Sequence, residues 1–214
     1  MSPVRAATAP DGVLYRIGYS LDPLAWPPWD YVGAGRFDDP RRLFRVLYVA
    51  EQRRACFLEA ISQFRPDPEA LARLAHVSGT DEPMPSATVP REWCRNRSLA
   101  TLVIQSERRW LDLRQFETRE ALRVELAQKL VELGLEDLDV SDVRGRNREL
   151  TQAIGRWAYE HEYQGIVYKS RFDDSLDCWA VFEGALVRPA PPPAPISQDD
   201  PDLRAAAQAF GLVV

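Results

Sequence analysis

Residues 35–59, GRFDDPRRLFRVLYVAEQRRACFLE, carry an Arg, a Tyr and a Glu through three successive elements. Arg36 falls in a glycine-containing turn, residues 47–50 have the Val/Leu/Tyr composition of a short buried strand, and residues 51–64 have helical character. Within that helix Ala50, Leu58, Ile61 and Phe64 share a broad core face. Glu59 has Ala55, Cys56, Ser62 and Gln63 as its neighbours three and four positions away. Its carboxylate is therefore expected at the edge of the core, where small neighbours leave room for a ligand that Arg36 and Tyr48 can help to hold.

Working outward, residues 13–17 (VLYRI) read as a strand that sends Tyr15 and Arg16 to opposite faces. Residues 22–31 (DPLAWPPWDY) hold too many prolines for a helix, and their rings either stack on a flat heterocycle or pack a loop onto a sheet. Residues 65–91 are a long excursion with one helical piece at 68–75, of the size used for lids or insertions. Residues 99–105 and 110–113 read as extended. Thr118 is the expected N-cap of a helix running to 133, with Leu122, Leu126 and Leu130 at spacings of four and Gly134 as its stop. A second helix spans about 147–162, with Leu150, Ile154, Trp157 and Ala158 on one face, and His161 is an ordinary capping or surface histidine. Residues 165–170 (GIVYKS) and 178–182 (CWAVF) flank an Asp-rich connection and read as a hairpin, placing Ser170 where a central strand meets its turn.

Residues 188–196 (RPAPPPAPI) favour a stiff polyproline connector, and residues 203–210 a short amphipathic helix started by Asp200 and Pro201. The expected division is a domain at 11–187, a connector at 188–198 and a helical tail at 199–214. The first ten residues read as a frayed polar start.

The chain has 214 residues, 45% hydrophobic and 28% charged, with a net charge of −5. That balance suits one sizeable core and argues against a general nucleic-acid or anionic-membrane binder. Three scattered cysteines and two histidines offer neither a disulfide framework nor a metal-ligand pattern, so no metal is expected. No signal-like or transmembrane-length apolar run is present, and the expected location is the cytoplasm.

LYR with Arg16, GRF with Arg36, LYVAE with Tyr48, FLEA with Glu59 and YKSR with Ser170 follow one another in an order that resembles the RES domain, whose members include bacterial toxins of toxin–antitoxin pairs. The resemblance implies an α+β, ADP-ribosyltransferase-like fold with a central, mostly antiparallel sheet flanked by helices. It implies NAD as substrate, bound by Arg16, Arg36, Tyr48, Glu59 and Ser170, with Glu59, Arg36 and Ser170 as the catalytic set. The implied activity is NAD degradation by phosphorolysis or hydrolysis of the nicotinamide–ribose bond, with inorganic phosphate as a co-substrate of the first. The alternative is ADP-ribosyl transfer to a protein or small molecule. A cognate antitoxin is the implied partner, and a homodimer is compatible with it. No glycine-rich phosphate loop occurs, so phosphate contacts must come from side chains.

Overall fold

A computed structural model describes residues 4–69, 71–72, 87–105 and 109–214. Its strands are β1 (Ala6–Ala7), β2 (Leu14–Tyr19), β3 (Val46–Ala50), β4 (Arg97–Ile104), β5 (Trp110–Asp112), β6 (Gly165–Lys169), β7 (Asp177–Phe182), β8 (Val187–Pro189) and β9 (Ala194–Pro195). They form one mixed sheet in the order β1-β5-β6-β7-β3-β2-β4-β8, with β9 also on β4. Every pairing is antiparallel except β5 with β6. The helices are α1 (Arg53–Ile61), α2 (Arg91–Arg95), α3 (Phe116–Glu125), α4 (Ala127–Glu132), α5 (Val140–Arg144), α6 (Arg148–Glu160) and α7 (Pro201–Ala209). No described helix is long and apolar enough to cross a membrane.

Side-chain alternation assigns the two faces of the sheet. Val46 and Ala50 of β3, with Ala180 and Phe182 of β7, join the core built by Phe57 and Ile61 of α1, Leu122 of α3 and Leu150 and Ile154 of α6. Leu47 and Val49, with Trp179, Val181 and Trp110, face the other way, where Leu24 and Trp26 pack on them. The proline-rich 22–31 loop thus packs Trp26 on the sheet, and its only helical element is a 3₁₀ turn at Trp29–Tyr31.

Between β2 and β3 the ladder is a single pair, Tyr15 with Ala50, whereas β2 pairs with β4 along its whole length. Beyond that pair the guanidinium of Arg16 bridges the strands: Nη1 donates to the Tyr48 carbonyl (3.0 Å) and Nε to that of Pro23 (2.9 Å). The sheet opens at this point, beside α1.

Several expectations are corrected. Of the expected frayed start, residues 1–3 lie outside the described residues, but Ala6 and Ala7 pair with Leu111 and Trp110 and extend the sheet by a strand. Thr118 does not cap a helix. It lies inside α3, fully buried, where its hydroxyl accepts from the Arg5 amide (3.0 Å) and the N-cap is Gln115. The single helix expected to residue 133 breaks at Leu126 (φ −104°, ψ 17°) into α3 and α4, and Gly134 ends it at φ +67°. The proline-rich 188–196 stretch, expected as a stiff polyproline connector, instead joins the sheet in part, because β8 and β9 lie along β4, an edge position that tolerates residues lacking an N–H. The helix expected at 68–75 lies partly, and His76 wholly, outside the described residues. Near the end of the excursion, the Val89 amide donates to the Val213 carbonyl (2.8 Å), tying it to the C-terminal residues.

Gly155, inside α6, faces the backbone of the 35–38 turn. A Cβ there would lie 2.5 Å from the Phe37 carbonyl oxygen. In an open helix Gly→Ala stabilises by about 1 kcal/mol, but a clash with backbone reverses the sign. Gly155→Ala is expected to destabilise by about 1–3 kcal/mol, and a urea midpoint at or above the parent's would refute this close packing.

Candidate active site

The turn carrying Arg36 is held by a network the chain builds for itself. Asp38 Oδ2 accepts from the amides of Gly33 (3.0 Å) and Gly35 (2.8 Å), and its Oδ1 accepts from the Tyr48 hydroxyl (2.8 Å). That hydroxyl in turn accepts from the Phe37 amide (2.9 Å), while Gln152 of α6 donates to the carbonyls of Gly33 (2.8 Å) and Gly35 (3.1 Å). Gly35 is required by close approach, since a Cβ would stand 2.4 Å from Asp38 Oδ1 and 2.5 Å from the Tyr48 hydroxyl. Burial, then the neighbouring Asp38 charge, pushes the Tyr48 phenol well above its ordinary pKa and keeps it a neutral donor.

From this turn Arg36 reaches the C-terminal end of α5. Nη1 donates to the carbonyls of Val143 (2.6 Å) and Gly145 (3.0 Å), and Nη2 to that of Arg144 (3.1 Å). These include the orphan carbonyls a helix leaves at its end, which favour a cation. Burial lowers the Arg36 pKa from its ordinary value. Three donors of a five-donor group are thereby committed to backbone, so Arg36 shapes the site more than it clamps a ligand.

Glu59 and Ser170 meet directly. Ser170, fully buried just beyond β6, donates from Oγ to Glu59 Oε1 (2.9 Å) and accepts from the Phe172 amide (3.2 Å). Arg171 Nε stands 3.8 Å from the other carboxylate oxygen. Glu59 faces a cavity of about 230 Å³ in the opening between β2, β3 and α1, whose walls include Arg16, Tyr48, Ala60, Cys56 and Cys178. The cavity thus combines a carboxylate, a cation and a phenol-bearing strand with apolar walls.

Both cysteines are buried, unpaired thiols. Burial raises Cys56 from 9.0 to about 12 and raises Cys178 as well. An unfolded chain ionises the Cys56 thiol above its ordinary pKa and the folded chain does not, so its contribution to stability is present below pH 9.0 and is lost by about 12. At pH 8 a thiol-specific chromogenic disulfide is expected to label Cys56 only after urea unfolds the protein; rapid labelling of the native protein would contradict this environment.

Residues 13–204 match the RES domain. The chain belongs to the RES domain family. Among solved structures, this RES domain chain is similar to a chain of the M. tuberculosis MbcT–MbcA toxin–antitoxin complex, at 18% identity, with a TM-score of 0.56 and coverage of 86% of this chain and 84% of that one. That likeness is one of fold, in accord with the expected α+β class built on a mostly antiparallel sheet. No curated protein matches the sequence.

Of the residues expected in the site, Arg16, Tyr48 and Glu59 line one cavity and Ser170 joins it through Glu59, whereas Arg36 is not part of its lining and binds the end of α5. Sequence reasoning missed Asp38, which directly follows GRF, and Gln152, a polar residue buried on the core side of α6. It also missed Arg171, the last letter of YKSR. An acidic residue directly after GRF, in a glycine-containing turn, was the available signal for Asp38.

Proposed function

We propose that this RES domain protein is the toxin of a toxin–antitoxin pair and that it cleaves the nicotinamide–ribose bond of NAD, with phosphate or water as acceptor. The observation that carries the reading is the Ser170–Glu59 hydrogen bond, at 2.9 Å, beside a cavity that also exposes Arg16 and Tyr48. Family membership and the likeness to a chain of a toxin–antitoxin complex support the biological half.

The chemistry follows from the groups. As the C1′–N bond breaks, nicotinamide leaves with the bonding electron pair as a neutral ring, and the ribose acquires oxocarbenium character. A carboxylate beside it stabilises that charge. Glu59 serves this role, and Ser170 fixes which carboxylate oxygen faces the sugar. Tyr48 and the apolar walls bound the base and limit water, while Arg16, also in the cavity wall, meets the anionic part of the substrate with charge-assisted bonds. The acceptor oxygen then forms the new bond to C1′. A partner antitoxin silences the enzyme by covering the mouth of the cavity.

The test is to incubate purified protein with NAD, with and without inorganic phosphate, and to identify the products. Free nicotinamide with ADP-ribose or its 1″-phosphate is the expected result. Adenine-side label appearing on a macromolecule would favour the ADP-ribosyltransferase reading instead, and NAD left intact would sink both.

A further inference from the structure

Ser170 keeps its proton on Glu59 because its own oxygen is engaged. A hydroxyl has one proton to give, and with the Phe172 amide donating to Oγ (3.2 Å) that proton goes to Glu59 Oε1 (2.9 Å). The direction of the Ser170 bond therefore depends on where residue 172 sits. Phe172 is held from the far end of the sequence. Its ring packs edge-on against that of Phe210, with centroids 5.0 Å apart and planes at 66°, an arrangement that aromatic quadrupoles favour. Each ring also carries a guanidinium: Arg65 lies over Phe210 at 4.8 Å and Arg171 over Phe172 at 4.5 Å. Arg171 Nε is in turn 3.8 Å from the second Glu59 oxygen. Two routes thus run from Phe210 to the carboxylate, one through the Phe172 amide and Ser170, the other through Arg171.

Phe210 is itself fixed. It is the C-cap of α7, and Gly211, at φ +67°, closes that helix: the Gly211 amide donates to the Gln208 carbonyl (3.1 Å) and the Leu212 amide to that of Ala207 (2.9 Å). Leu203, Ala206 and Ala207 are buried in the same core as Phe57 and Ile61 of α1. Arg53 of α1 pairs with Asp200 and Asp202 at the start of α7. The match to the RES domain stops at residue 204, so Phe210 lies beyond it. We infer that Phe210 is a positioning residue for the Glu59–Ser170 pair: packed on Phe172, it sets the 170–172 turn whose amide aims the Ser170 hydroxyl at the carboxylate. A ring that served the tail alone would leave the turn unchanged when removed; this one meets the residue whose amide Ser170 uses. The effect on kcat rests on the proposed cleavage of NAD, whereas the position of the turn does not.

Phe210→Ala in the full chain is read by three measurements: a melting curve, amide hydrogen exchange at Phe172 without NAD, and kcat and KM for nicotinamide release. With the variant folded at the assay temperature, exchange at Phe172 is expected to quicken about tenfold and kcat to fall about tenfold, the scale of one aromatic pair. KM is expected to stay within about twofold of the parent's, because the substrate does not touch Phe210. Phe210→Tyr keeps the ring and is expected to retain both the slow exchange and the kcat. If the alanine variant melts below the assay temperature, Phe210→Leu, which keeps apolar bulk and loses the ring edge, is read in the same way. Parent-like exchange and kcat in a folded variant overturn the inference, as does a kcat loss with exchange at Phe172 unchanged, or one that Phe210→Tyr shares in full. Faster exchange in a protein that does not cleave NAD would sink only the proposed activity. Unchanged exchange beside NAD cleavage at the parent's rate would sink only the role of Phe210.

Discussion

Glu59→Gln is expected to lower nicotinamide release from NAD by about 10²–10³-fold, the range seen when one preorganised electrostatic group is removed from a charge-developing site. The exchange is nearly isosteric. The Gln carbonyl oxygen can still accept from Ser170, which keeps its partner, and α1 buries the same surface through Phe57, Leu58 and Ile61. What disappears is the negative charge facing the ribose as the bond to nicotinamide breaks. The loss is therefore expected in kcat, with little change in KM or in melting temperature, because NAD in its ground state already carries its charge elsewhere. Chromatographic measurement of nicotinamide separates the cases. Activity within about threefold of the parent's would remove the carboxylate from the chemistry. A collapse in stability would show that the Glu59–Ser170 bond serves the fold.

That bond shows how far the sequence could be read. Glu59 and Ser170 are 111 positions apart, and no periodicity connects them, yet each lay in a legible local setting: a helix with small neighbours, and the end of an apolar strand. The resemblance to the RES domain put the two settings in one site, and the hydrogen bond now joins them. The short strand at residues 47–50 was equally legible, because a strand covered on both faces reads as a continuous apolar run. The opening of the sheet was not. It depends on β2 and β3 pairing once and then parting around Arg16, a tertiary choice that leaves no mark on either strand. Edge pairing was hidden for a related reason. Two alanines and a run of prolines have poor strand propensity, and β1, β8 and β9 exist because neighbouring strands offer them a place. Thr118 misled because a Thr ahead of a helical pattern looks like a cap, while its hydroxyl is used by Arg5, 113 residues away.

Arg36→Lys is expected to cost about 2–4 kcal/mol of stability, a drop of about 5–12 °C in melting temperature for a chain of this size. A guanidinium serves the carbonyls of Val143, Arg144 and Gly145 together because its donors are fixed in a planar fork. An ammonium at the end of a shorter reach satisfies one of them and leaves buried acceptors unpaired, which is the expensive outcome. The damage spreads in two directions. Phe37, the next residue, donates to the Tyr48 hydroxyl, so a displaced turn loosens the phenol and its bond to Asp38. The α5 end carries Arg144 and Arg146, so the wall they form near Phe172 loosens as well. Activity is thus expected to fall together with stability, and low temperature should recover part of each as the turn re-forms. A direct ligand contact predicts a different pattern: unchanged melting and a raised KM for NAD alone. Thermal melts beside initial rates at 10 and 30 °C (about 20 °C apart, a span over which unfolding equilibria shift measurably) distinguish an arginine that positions the site from one that touches the substrate.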